Sequence, residues 1–335
     1  MARAFVRNVR LKNPERAGGA VTRRLERLLL NNRPLNIFMS SAAKWTLAAL
    51  LWPRFVAPYR WRLTRHAMPL AVDPVFDGYR ILQLTDLHAG KAKLSYLQRV
   101  IEQALAEKPN LVVITGDLID YHPDSLEPLR AVLRQLSAAL PQVPDGILAI
   151  FGNHDYHEYS WRHVGARSAH RSVHKRLLHA VQHSGIRLLR NEQVRITRGA
   201  AALTIVGLDE MWTGRADAAA TFAGIASNEP VICLQHNPDG IEFLRDYPWQ
   251  FMLCGHSHGG QANFPFLGSI YVPMENRQYL QGLFHFPLLP GQPSALKHRT
   301  MFVSRGIGHS TPIRMRCPPE STLFTVEAVS TDYTD

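Results

Sequence analysis

From Tyr79 onward, short apolar runs rich in β-branched residues alternate with stretches of helical period. The runs at 80–84 (RILQL), 111–115 (LVVIT), 147–151 (ILAIF), 203–206 (LTIV), 231–234 (VICL), 250–254 (QFMLC), 269–272 (SIYV), 300–304 (TMFVS) and 322–328 (TLFTVEA) predict strands. Most are apolar nearly throughout, the pattern of strands covered on both faces. Apolar spacing near 3.6 predicts helices over 95–107, 125–139, 173–184 and 239–246. The order is β-α-β early and β-rich late, which predicts an α/β fold of two sheets packed face to face with helices outside. With 335 residues, 46% of them hydrophobic, the chain has enough apolar surface for such a core.

The region before Tyr79 reads differently. Val21, Leu25, Leu28 and Leu29 share one helical face with Arg23, Arg24 and Arg27 off it, a short basic amphipathic helix. The apolar segment 45–52 (WTLAALLW) lies between Lys44 and Arg54, and it falls far short of the roughly 20 residues a membrane span needs. Charge separates the two regions further. The net charge is +11, but residues 1–66 hold fourteen Lys and Arg against Glu15 and Glu26, a net of +12, so the remainder carries 24 basic against 25 acidic residues. A near-neutral body with a basic arm argues against a nucleic-acid partner for the whole chain and for an anionic membrane surface as the partner of the arm. Trp45, Trp52, Tyr59 and Trp61, interspersed with Arg54, Arg60 and Arg62, suit headgroup depth. The expected organisation is an interfacial arm over 1–76 and a catalytic domain over 77–330. Thr22-Arg23-Arg24 is followed by no continuous apolar region, so an export signal is not expected. Cys233, Cys254 and Cys317 form neither a disulfide framework nor a zinc ribbon, which fits a reducing compartment. The expected location is the cytoplasmic face of the membrane, held peripherally.

Polar residues collect just after the predicted strands, where open α/β sheets place their ligand sites. They are Asp86 and His88 in LTDLH, Asp117 in TGDLID, Asn153, His154 and Asp155 in GNHD, His236 in LQHNPD, and His256 and His258 in GHSHGGQ. Any one alone reads as a helix cap, a turn residue or a satisfied histidine. Five clusters, each at the end of a strand, are hard to produce by independent accident. Their order resembles the signature of the calcineurin-like metallophosphoesterases: Asp-x-His, Gly-Asp, Gly-Asn-His-Asp, a later His and Gly-His-x-His. GHSHGGQ (255–261), MFVSRGIG (301–308) and CPPE (317–320) add a likeness to a bacterial subgroup of that family, and the resemblance covers about residues 78–330.

The resemblance implies a four-layer α-β-β-α sandwich of two mixed sheets with flanking helices. It also implies a dinuclear site in which Asp86, His88, Asp117 and His258 hold one divalent ion, and Asp117, Asn153, His236 and His256 the other, with Asp117 as the bridge. His154 is then no ligand but a donor to the leaving-group oxygen, with Asp155 setting its tautomer. Such ion pairs clamp a phosphoryl group and generate a nucleophile at neutral pH. Imidazole and carboxylate without thiolate suit Mn, Fe or Zn, of which Mn is the expectation. Two residue groups are candidates for substrate contacts. Gly259 and Gly260 either let a phosphate approach the backbone or form a plain tight turn, and Arg305 either meets the substrate or pairs with a carboxylate. Between GNHD and Val173 a long segment, 157–174, carries Arg162, Arg167 and Arg171, the composition of a loop facing a polyanion or of a solvated insertion. Within the family, a substrate that matches the metal site, the basic arm and the absent export signal is UDP-2,3-diacylglucosamine, cleaved to lipid X and UMP in lipid A synthesis. A broad phosphodiesterase or phosphatase, or a non-catalytic scaffold, are the other readings.

Overall fold

The computed structural model describes residues 51–120, 125–156, 167–264, 268–269, 272 and 274–329, and side chains within the segment that begins at 167 from Ser172 onward. The strands along the chain are β1 (Arg62–Leu70), β2 (Arg80–Leu84), β3 (Leu111–Thr115), β4 (Ile147–Ile150), β5 (Arg187–Leu188), β6 (Glu192–Arg198), β7 (Ala201–Gly207), β8 (Val231–Leu234), β9 (Phe251–Cys254), β10 (Asn263–Phe264), β11 (Gly268–Ser269), β12 (Gly282–Phe286), β13 (Arg299–Val303) and β14 (Glu320–Ala328). They form two six-stranded mixed sheets, ordered β1-β14-β2-β3-β4-β5 and β12-β13-β9-β8-β7-β6, and a two-stranded ribbon of β10 and β11. In the first sheet β2, β3, β4 and β5 run parallel and β14 runs against β2. In the second, β7, β8, β9 and β13 run parallel, with β6 and β12 antiparallel at the two edges.

Period-two alternation builds the layers. Leu111 and Val113 of β3 point into the core between the sheets, where they meet Ile232 and Leu234 of β8 and Phe251 and Leu253 of β9. Val112 and Ile114 point the other way, against the helices. Those helices are α1 (Leu94–Leu105), α2 (Glu127–Ala139) and α3 (Arg167–Gln182). α1 buries Leu97, Val100, Ile101 and Ala104, and α2 buries Leu129, Val132, Leu133 and Leu136, each at the i, i+3, i+4 spacing of one face. The outer face of the second sheet, Val231, Cys233, Met252, Cys254 and Met301, is covered by short turns and loops that supply Phe222, Ile241, Leu244 and Trp249. The sandwich therefore has four layers, the fourth thin. At about 25 cal/mol per Å², fully burying one such Leu or Phe stabilises the fold by roughly 2 kcal/mol, so these layers dominate its stability.

Three expectations change. First, residues 62–70 are not arm: β1 pairs in parallel with β14 over nine residues, so the folded unit starts well before residue 77. Trp61 is buried and donates to Ser321 Oγ (3.1 Å), and Tyr59 packs edge-on against Tyr96, so two of the four aromatic residues assigned to a membrane interface serve the core. Trp52 is exposed, whereas residues 1–50, with Trp45 and the amphipathic helix at 21–29, lie outside the described residues. Among those described, no helix is long and apolar enough to cross a membrane. Second, α3 begins at Arg167, so the segment expected to lack secondary structure is helical over its last residues. Third, the helix expected over 239–246 shrinks to a 3-10 turn, Pro238–Gly240, and one α turn, Ile241–Leu244.

Candidate metal centre

The loops leaving β2, β3, β4, β8 and β9 converge where the carboxyl ends of the two sheets meet. Their backbone is unusual. Asp86, His88, Asp117, His256 and His258 all have φ between +43° and +66°, a region β-carbon-bearing residues adopt at a cost of order 1 kcal/mol or more each. The turns are held there by main-chain bonds from Asp86 N to Gly116 O (3.0 Å), His88 N to Asp117 O (3.1 Å) and Gly255 N to His236 O (2.9 Å). Gly152 is needed for closeness: a β-carbon there would press into Asp117 Oδ1 and lie 2.7 Å from His236 Nε2.

Two donor sets flank Asp117. In one, Asp86, His88 and His258 bring ligand atoms within 4.8 Å of one another; in the other, Asp117, His236 and His256 do so, and His88, Asp117 and His154 form a third such group between them. Asp117 Oδ2 lies 3.7 Å from His88 Nε2 and 3.3 Å from His236 Nε2, which places it between the sets. Asn153 joins the second set through Oδ1, 2.9 Å from His256 Nδ1. His258 Nε2 is 3.4 Å from Asp86 Oδ1. All of these side chains are buried.

Two features show that the set fits divalent cations. His88 Nε2 and His258 Nε2 lie 2.9 Å apart, so both ring nitrogens aim at one point that only a shared proton or a cation occupies favourably. His236 Nδ1 donates to Thr115 O (2.7 Å), which leaves Nε2 directed at Asp117 without a hydrogen bond of its own. Burial lowers His236, but the Asp117 carboxylate outweighs it and pushes the imidazole up to about 10, so the pocket around Nε2 favours positive charge. Burial pushes Asp86 up and, with the neighbouring His88, pushes His258 down.

His154 lies beside both sets, its Nε2 3.9 Å from Asp117 Oδ2 and its backbone N–H donating to Asp117 Oδ1 (3.0 Å). Its expected partner is wrong. Asp155 turns away and accepts from Gly152 N (2.9 Å) and Ile119 N (3.2 Å), a main-chain staple joining two metal-site loops. The carboxylate beside His154 is Asp120, with Oδ1 3.0 Å from Nδ1. Despite burial, which raises it, Asp120 is held well below the usual carboxylate range by His154 and His88. Its position in TGDLID, three residues after Asp117, was the available signal.

Gly259 and Gly260 have φ of +62° and +73°, and a β-carbon at Gly259 would meet Cys317 Sγ at 2.6 Å and Arg305 Cγ at 2.7 Å, so they make a tight turn packed on its own chain. Arg305 pairs with Glu320 through both its guanidinium and its backbone N–H. Arg162 and the side chains of Arg167 and Arg171 lie outside the described residues. A residue not anticipated, Arg314, is fully buried; it donates to the carbonyls of His258 (3.0 Å), Arg305 (2.8 Å) and Gly308 (2.7 Å) and to His258 Nδ1 (3.1 Å). It fastens the VSRGIG loop to the last histidine.

Two mixed sheets meeting at a buried cluster of aspartate, asparagine and histidine define a metal-dependent hydrolase of phosphoesters. The chain belongs to the calcineurin-like phosphoesterase family, whose model matches residues 79–260. It is 32% identical to the uncharacterized metallophosphoesterase YkuE of Bacillus subtilis, over 83% of this chain and 90% of that one. It is 30% identical to the phosphodiesterase YaeI of Escherichia coli, over 81% and 90%. It is 29% identical to the UDP-2,3-diacylglucosamine pyrophosphatase LpxG of Chlamydia muridarum, over 84% and 92%.

Proposed function

We propose that this metallophosphoesterase cleaves the pyrophosphate bond of a lipid-linked nucleotide, UDP-2,3-diacylglucosamine, to release UMP. The observation that carries the reading is the pair of donor sets sharing Asp117: Asp86, His88, Asp117 and His258 would hold one divalent ion, and Asp117, Asn153, His236 and His256 the other. Bound there, the ions, of which Mn²⁺ suits the donors, supply Lewis acidity and a nucleophile at neutral pH. The protein's own work lies around them. The negative charge of Asp120, 3.0 Å from His154 Nδ1, favours the proton on that nitrogen and leaves Nε2 to exchange a proton with the departing oxygen. Asp155 and Gly152 hold the Asn153–His154 turn against Asp117. Arg162, Arg167 and Arg171 bring positive charge that suits a polyanionic substrate, and the net charge of +12 over residues 1–66 suits an anionic membrane.

The likeness to LpxG supports the substrate, and the likeness to YaeI supports a second reading, a phosphodiesterase of broader range. The test is Mn²⁺-dependent release of UMP from UDP-2,3-diacylglucosamine by the full chain, with UDP-N-acetylglucosamine and Asp117→Ala as controls. Release from the acylated substrate alone, lost in the variant, is the expected result. Hydrolysis of bis-(p-nitrophenyl) phosphate without UMP release would leave the phosphodiesterase reading.

A further inference from the structure

The loop after β7 donates nothing to the two metal sets, yet it stands against one of them. Residues 209–215 (DEMWTGR) close into a tight turn in which Gly214 N donates to Met211 O (3.0 Å) and Arg215 N to Glu210 O (3.2 Å). The buried Glu210 carboxylate caps the turn by accepting from Thr213 N (2.8 Å). Asp209 anchors its base, accepting from Tyr156 Oη (2.7 Å) and Arg190 Nε (3.0 Å), and Asn191 Nδ2 donates to Arg215 O (2.8 Å). This rigid frame presents Trp212. Its ring stands edge-on to His256, with centroids 4.8 Å apart and planes at 85°.

Bracing a histidine does not require an indole. A buried leucine would serve, whereas Trp212 is only partly covered and sits in a turn of charged residues. Arg215, three positions on, is exposed, its guanidinium 5.2 Å from the centre of the Tyr156 ring. An acyl chain placed here would press apolar surface against the exposed Arg215 and gain little. A nucleobase offers a π face to the indole and hydrogen-bonding edges to polar neighbours.

We propose that the 209–215 turn is the nucleotide-recognition wall of the catalytic site, with Trp212 stacking on the base of a nucleoside phosphate and Arg215 flanking its charged part. This deepens the proposed function and rests on it: the metal centre handles the phosphoryl groups, and the turn recognises the nucleoside. Trp212 is thereby a specificity-determining residue.

The test is titration calorimetry of the full-length, Mn²⁺-loaded protein with UMP and with ribose 5-phosphate, which keeps the sugar and phosphate but lacks the base. UMP should bind about tenfold tighter, the order expected of one base stacked on one aromatic ring. Trp212→Leu, which still fills the space against His256, should bring the ratio of the two dissociation constants to about one with metal content retained. Trp212→Phe should keep most of it. A ratio near one in the unaltered protein, or a ratio unchanged in Trp212→Leu, overturns the proposal. The ratio is independent of whether the acylated substrate is cleaved, so its failure and a failure to release UMP are separate results.

Discussion

The two sheets contribute opposite chemistry to the same centre. The loops of the first supply both carboxylates of the donor sets, Asp86 and Asp117, together with His88 and Asn153, and carry Asp120, His154 and Asp155 beside them; the loops of the second supply only imidazoles to the donor sets, His236, His256 and His258. Each of the two donor sets draws ligands from both halves. The halves are also hydrogen-bonded across the seam just beneath it. Asp86 accepts from His256 N (3.1 Å), His236 Nδ1 donates to Thr115 O (2.7 Å), and Gln83 Nε2 donates to Cys254 O (3.0 Å). The left-handed loops and the stranded charges are costs that each sheet carries separately and that a cation offsets only when the sheets are docked.

The largest break in that complementarity is Asp117→Ala, which removes the one carboxylate facing both sets. Turnover should fall by roughly a thousandfold or more, and metal analysis should find less than one tightly bound ion per chain. Gly152→Ala keeps every donor but forces Asp117 and His236 apart; activity should fall about a hundredfold, with recovery at high Mn²⁺ distinguishing weakened binding from misfolding. Within the first half, Asp120→Asn should lower kcat about 10- to 100-fold while both ions stay bound. Asp155→Asn, which disturbs only the staple between loops, should instead act mainly on thermal stability. If Asp155→Asn rather than Asp120→Asn changes the pH profile of kcat, the assignment of the carboxylate beside His154 is wrong.

The smallest effect concerns stability. His309 is buried with neither ring nitrogen hydrogen-bonded among the described residues, and burial, reinforced by the Arg314 cation, holds it down to about 3. Between its ordinary pKa near 6.5 and about 3, the unfolded chain takes up a proton that the folded chain does not, so stability falls as pH drops through that window. His309→Phe should remove this loss and gain about 1 kcal/mol near pH 5.5, with less gain at pH 8, read from denaturant midpoints.

How much was legible in the sequence follows from which strands are covered on both faces. The runs read as strands include every interior strand of the two large sheets, β2, β3, β4, β7, β8, β9, β13 and β14, because each is sandwiched and carries a buried apolar stretch. All four edge strands, β1, β5, β6 and β12, were missed. β6 buries only Ile196 among Glu192, Arg195 and Arg198, and β1 interrupts its apolar residues with Arg65, His66 and Pro69. Edges tolerate polar residues because one side has no partner strand. The metal donors were legible because each sits at a fixed offset from an interior strand. Asp120 and Trp212 were not, since their roles depend on which neighbour a side chain meets across the fold. Arg314 was hidden for a further reason: its partners are main-chain carbonyls, which carry no residue identity.

The register of β14 has a consequence for how the enzyme comes into being. This strand lies between β1 and β2, while its own residues, Glu320–Ala328, are separated from those of β1 by some 250 positions of chain. A nascent chain that has emerged only as far as residue 319 has a slot in its first sheet, with β1 unable to join β2, and lacks the Glu320 carboxylate that holds the VSRGIG loop through Arg305. Helices and the parallel core can form during synthesis, but closure waits for the last strand. Catalytic competence therefore waits until β14 has been made and has taken its place between β1 and β2.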